Sequence, residues 1–339
     1  MENCRVCDDW TYKSMKVVFM ENRFLKVGIL ADRGSDIFEF TYKPLGIDPL
    51  LRLEKGIANP NQQFSQIRNT ASQFEDYYYG GWQEILPNSP SFNYKGAVLG
   101  QHGEVSLIPW KYAIVENDDS QIAVKFWTEP LRMPLRITKT LRMNAGDPVL
   151  YIEETLENRG GVELDIMWGH HIAFGLPFLK NGAKIETNAT QMMAEECMPE
   201  KRLIIPGQRF QFPMAVNKNN QEVNVSEISA EGEKQYSELI YLSDFKNETG
   251  RYSIRSNESG LRFNVEWDTE IFRSLWFWQE RNGITEFPWW GKAYTVALEP
   301  WTSPWTSEPE KAIERGEWLK IRAGQKVETK LSAGICQDL

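Results

Sequence analysis

With 339 residues, a formal net charge of −9 and no basic stripe, the chain is a poor match for nucleic acid or an anionic membrane surface. No apolar run approaches the length that spans a bilayer, which argues against a helical membrane protein. Its 13 Trp, 12 Tyr and 17 Phe suit a β core, and they also suit a site where flat rings face the apolar side of a pyranose.

In chain order, the opening segment Met1–Asp9 has no basic region followed by an apolar stretch. A secretory leader is therefore not expected, and the cytoplasm is the expected location. The four cysteines are then read as reduced thiols. Cys4 and Cys7 form a C-x-x-C, but no second pair follows at zinc-site spacing, and Cys197 and Cys336 stand alone. The polar turn Asp32-Arg33-Gly34-Ser35-Asp36-Ile37 reads as a strand connection with a local Asp–Arg pair, or as one wall of a cleft. In Tyr79-Gly80-Gly81-Trp82 an indole follows two glycines and belongs either to the core or to a sugar-stacking surface. His102 lies between Gly100 and Gly103, where the missing side chains leave room for a ligand or another backbone.

Strand-like alternation marks 121–126, 135–141, 162–168 and 262–267. Turn chemistry separates these runs at 144–148, 158–161, 247–250 and 257–260. Convincing amphipathic helices are absent, and the best candidate is a short segment at 307–315 with acids early in it. Segments 55–70 and 195–235 are the most loop-like and are read as surface excursions. Short strands without alternating long helices predict an all-β sandwich or barrel, and no linker divides the chain, so residues 1–339 are expected to form a single domain.

The chain has three histidines, and two of them are adjacent in Trp168-Gly169-His170-His171-Ile172-Ala173-Phe174-Gly175. Histidine titrates near physiological pH, which suits it to proton transfer. Neighbours on a strand point to opposite faces, so one of the pair is expected at a site and the other behind it. For the same reason the two cannot chelate one zinc ion. Glu299, in Ala297-Leu298-Glu299-Pro300-Trp301-Thr302, is an acid ending an apolar strand, where partial desolvation raises its pKa. The plainer readings are structural histidines and an exposed strand-end acid. Glycoside hydrolysis needs two flanking carboxylates, whereas two histidines and one glutamate fit a simpler proton transfer. Trp276, Trp278, Trp289 and Trp290 are expected in the core or on a rim.

His102-Gly103, then His171 followed by Ile-Ala-Phe, then Leu298-Glu299 resemble, in order and spacing, the motifs of the aldose 1-epimerase (galactose mutarotase) family. The Gly-His-His-x-x-Phe-Gly and Glu-Pro-Trp-Thr forms resemble a bacterial subgroup. The resemblance implies an all-β fold, a β-supersandwich of large antiparallel sheets with the sugar in a cleft, and neither metal nor cofactor. It implies that Glu299 takes the proton of the anomeric hydroxyl, that His171 protonates the ring oxygen, and that His102 supports the developing charge. The family's arginine before the first histidine is missing from Tyr79–Asn88, and its aspartate segment is replaced by Ser237-Glu238-Leu239-Ile240-Tyr241. Arg33 and Glu238 are the expected replacements, with Trp82 and His170 as further substrate-binding residues.

The expected function is interconversion of the α and β anomers of an aldose by acid–base ring opening and closure. The expected partner is a small-molecule sugar, with no nucleic acid and no membrane, on a monomer or homodimer. The alternative is a non-catalytic carbohydrate-binding or sensor protein on the same fold. A third reading is an isomerase or lyase acting on an unusual sugar derivative. The absence of a basic cluster near the motifs argues against a phosphorylated substrate.

Overall fold

The computed structural model describes residues 3–63, 73–197 and 201–337. Two large antiparallel sheets carry the fold. The first has eleven strands and runs, edge to edge, Arg5–Tyr12, Met15–Glu21, Leu25–Leu30, Asp36–Tyr42, Trp82–Ile85, Gly169–Phe174, Tyr294–Trp301, Ser274–Arg281, Tyr236–Phe245, Ala189–Ala194 and Arg209–Gln211. The second has nine and includes Leu135–Asn144, Val149–Asn158, Lys326–Gln337 and Leu261–Asp268.

The predicted alternation is what lets these sheets form. Along Leu135–Asn144 every second residue is buried, so Leu135, Ile137, Leu141 and Met143 face the first sheet. Phe263 of the second sheet packs edge-to-face on Phe40 and Phe174 of the first, at centroid distances of 5.0 and 5.1 Å. The predicted helix is present at Pro309–Glu314. Within 162–168 only Leu164–Ile166 is strand, and it pairs with Leu319–Ile321 in a small separate sheet. Among its described residues the excursion 195–235 contains four short strands and reaches the site described below, so it is more than surface loop. Positions 64–70 of the other excursion lie outside the described residues. Among the described residues no helix is long and apolar enough to cross a membrane.

Between the sheets lies one polar island. Lys139 Nζ sits 3.4 Å from Glu84 Oε2 and over the Trp110 ring. His170 Nε2 is 3.0 Å from Glu154 Oε2, and Trp82 Nε1 donates to His170 Nδ1 at 3.1 Å. All six residues are buried. An indole can only donate, so Nδ1 must accept, and the imidazole proton is on Nε2, facing Glu154. Burial works against ionising Glu84, but the Lys139 ammonium and the bond from Trp168 Nε1 oppose it, and its carboxyl lies below the usual range. Burial, reinforced by Glu84, pushes Glu154 up to about 7. The island thus balances one ammonium against one carboxylate, with a further proton held by Glu154 and His170.

Removing the ammonium strands a buried charge. Lys139→Met is expected to cost roughly 3–5 kcal/mol of unfolding free energy, read by urea denaturation. The double variant Lys139→Met/Glu84→Gln should recover most of that loss.

Candidate active site

Hydrogen-bond register assembles the site on the outer face of the eleven-stranded sheet, away from the inter-sheet core. Gly169 pairs with Trp301 and Ala173 with Ala297, and the same register places His171 opposite Glu299. Glu299 pairs with Trp276 on its other side, and Trp276 with Tyr241. Residues directly opposite in a ladder share a face. His171, Glu299, Trp276 and Tyr241 therefore form one row across four strands. The next row is Ala173, Ala297, Trp278 and Leu239. Its two alanines leave space beside the acid–base pair, and Trp278 and Leu239 bound that space.

Loops close the cavity. The short helix Gln73–Tyr77 and the residue after it bring Phe74, Glu75 and Tyr78. Phe74 lies edge-on to His102 at 4.5 Å, and Tyr78 edge-on to His171 at 5.0 Å. His102 has a left-handed backbone, φ 59°, and its amide donates to the Ser89 carbonyl. The next residue must be glycine, because a Cβ on Gly103 (φ +64°) would fall 2.1 Å from the Leu86 oxygen. Trp289, Trp305, Gln101, Glu195, Cys197 and Ile284 complete a cavity of about 350 Å³, within the range of small-molecule sites.

On its floor His171 Nε2 lies 3.7 Å from Glu299 Oε1, and Trp301 Nε1 donates to Glu299 Oε2 at 3.0 Å. The His102 and His171 rings are 5.8 Å apart. Burial pushes the Glu299 carboxyl up to about 8, the Trp301 bond opposing it, and drives His171 down to about 3. Burial also takes His102 well below its usual value, with His171 adding to the effect. At neutral pH the pair therefore holds one titratable proton, on the carboxyl. The Tyr78 hydroxyl and His171 Nδ1 are buried without hydrogen-bond partners among the described residues, and both residues line the cavity.

Residues 12–335 match the model of a family described as a domain of unknown function, DUF4432. The chain belongs to the DUF4432 family. Among solved structures it superposes on a candidate aldose 1-epimerase of Klebsiella pneumoniae at TM-score 0.75 and 13% identity, covering 99% of this chain and 83% of that one. A galactose mutarotase-like protein of Clostridium acetobutylicum matches at TM-score 0.68 and 14% identity over 100% of both chains. A candidate aldose 1-epimerase of Escherichia coli matches at 0.60 and 15%, over 93% and 96%. No curated protein matches the chain in sequence. At these identities the likeness shows the fold, which is that of galactose mutarotase-like proteins.

Of the site residues read from sequence in this DUF4432 member, His102, His171 and Glu299 meet in the cavity. The four expected substrate-binding residues do not line it, and each has a structural partner instead. Arg33 is buried and donates to the carbonyls of Ala58 and Tyr77, bracing the segment that carries Phe74 and Tyr78. Glu238 accepts from Arg202 and from the amides of Leu203 and Ile204. Trp82 and His170 belong to the inter-sheet island, because alternation turns His170 away from the face that His171 occupies. Trp276, Trp278 and Trp289 line the cavity, whereas Trp290 is 66% exposed. Phe74, Tyr78 and Glu195 carried no motif and are recruited by tertiary contact alone.

Glu84, Glu154 and His170 bring ligand atoms within 4.8 Å of one another, as a metal site would. The set does not fit a cation. Lys139 already supplies the positive charge beside Glu84, and the Trp82 bond leaves His170 Nε2 protonated rather than free to ligate.

Folded Glu299 keeps a proton that the unfolded chain releases near pH 4.5. Stability must then fall as pH rises from that value towards about 8. Relative to Glu299→Gln, the wild type should lose on the order of 2–4 kcal/mol across that window, measured as the pH dependence of denaturation midpoints. Equal slopes in the two proteins would contradict the buried, protonated carboxyl.

Proposed function

We propose that this protein is a cofactor-independent mutarotase that interconverts the α and β anomers of an aldose. One observation carries the reading: His171 and Glu299, 3.7 Å apart on the floor of an aromatic-walled cavity, with their acidities displaced so that the pair holds a single proton. Ring opening needs one group to give a proton to the ring oxygen while another takes one from the anomeric hydroxyl. Rotation about C1–C2 and ring closure then return both protons, with the groups exchanging roles. A pair sharing one proton can begin in either sense.

For Glu299 to act as the base, its resting proton must first move to His171. A hydrogen bond from the anomeric hydroxyl to the carboxylate favours that transfer. His102, neutral and fixed by its Ser89 contacts, is placed to hold the ring oxygen. The tryptophans and Phe74 face the sugar's apolar side. Among the described lining residues there is no Lys or Arg, while Glu75, Glu195 and Glu299 are acids, so an uncharged aldose is preferred over a sugar phosphate.

The test is anomer exchange followed by polarimetry or NMR on glucose, galactose, xylose and arabinose. Acceleration on at least one sugar is expected, reduced about 10²–10⁴-fold in Glu299→Gln and in His171→Asn. The rate should fall above about pH 8, where Glu299 loses the shared proton. A flat panel with folded protein overturns the reading. Sugar affinity retained in Glu299→Gln with no rate in either protein would establish the binding-protein alternative.

A further inference from the structure

Glu299 receives one hydrogen bond among the described residues, from the indole of Trp301. The two residues are separated by one position on the same strand, so their side chains leave the sheet on the same side. The bond engages Oε2 and leaves Oε1 facing His171 Nε2. The orientation of the acid therefore depends on where the indole lies.

That indole is held from several directions. It stacks on Trp276 with ring centres 4.2 Å apart and planes 14° from parallel. Trp276 is itself tied by its Nε1 to the Ser303 carbonyl at 3.0 Å. On the neighbouring strand the partner of Trp301 is Gly169, where a Cβ would fall 2.2 Å from Trp301 Cδ2. Only glycine lets the ring lie flat against that strand. The His102 ring is 5.8 Å away, so the same indole neighbours both Glu299 and His102. The packing fixes a donor on one oxygen of a buried carboxyl, where the bond is worth more than in water.

We propose that Trp301 is a positioning residue, clamped by Trp276 and Gly169, whose N–H orients Glu299 towards His171 and makes the carboxylate accessible as a base. The inference rests on the mutarotase reading for its kinetic consequence but not for its physical one. Trp301 need not touch the sugar. It acts through Glu299, and its loss should be felt in turnover more than in affinity.

The experiment uses two variants of the full chain. Trp301→Phe removes the donor and keeps a stacking ring. Replacement of Trp301 by benzothienylalanine keeps the bicyclic shape and exchanges the N–H for sulfur. The Glu299 carboxyl is titrated in each by ¹³C NMR of labelled glutamate, with Glu299→Gln assigning the resonance. Because the lost bond favours the ionised form, the titration is expected to move up by about half a unit to one unit in both variants. With an accepted sugar, kcat should fall about tenfold or more while KM stays within about twofold, and the alkaline limb should move up with the titration. An unchanged titration in the benzothienyl protein, with the fold intact, overturns the proposal and leaves Trp301 as packing. A change confined to KM overturns it in favour of a sugar contact. If the wild type turns over no sugar, the mutarotase reading fails while the titration still decides the role of Trp301.

Discussion

The site depends on the hydrogen-bond register between Gly169–Phe174 and Tyr294–Trp301. These strands are more than a hundred residues apart in the chain. Their ladder puts His171 beside Glu299 and Gly169 beneath Trp301, and it turns the side chains of His171 and Glu299 to one face. A slip of one residue in either strand would turn that strand's residue, His171 or Glu299, away from the cavity and into the core. The buried inter-sheet contacts of Ile172, Phe174, Val296 and Leu298 resist such a slip, so the packing that stabilises the fold also sets the geometry of the cavity.

The two neighbouring histidines show how the same residue type is put to different uses. His170 faces inwards, where Glu154, Glu84 and Lys139 give it a charged, hydrogen-bonded setting. His171 faces the cavity, where apolar rings surround it and burial keeps it neutral. Burial acts on Glu299 in the opposite sense, because for an acid the charged form is the deprotonated one. Burial thus displaces the two groups towards each other's protonation state. It also costs stability, since a carboxyl in this setting is a poorer contributor to folding than an apolar side chain of its size.

Much of the fold was legible in the sequence. The alternation at 121–126, 135–141 and 262–267 produced strands there, and the short helix fell within 307–315. Local pattern was enough because burial of one face is a property of neighbouring residues. The residues that line the cavity were not legible in this way. Arg33, Glu238 and Trp82 sit in polar or glycine-rich contexts that resemble a cleft, yet each is satisfied by a partner far away in the chain. Glu195 and Tyr78 carried no signal, since their place at the cavity is decided by what packs against them.

The sequence by itself determined that the chain forms antiparallel sheets, that adjacent histidines face opposite ways, and that His102, His171 and Glu299 are residues whose types can move protons. These follow from side-chain chemistry and from the two-residue period of a strand, which are local. Only the tertiary structure decided which histidine faces the cavity, which tryptophans wall it, and that Trp301 rather than a charged group holds Glu299. Those outcomes depend on the register of strands distant in sequence and on the close approach that Gly169 permits, and neither is encoded in any single stretch of the chain.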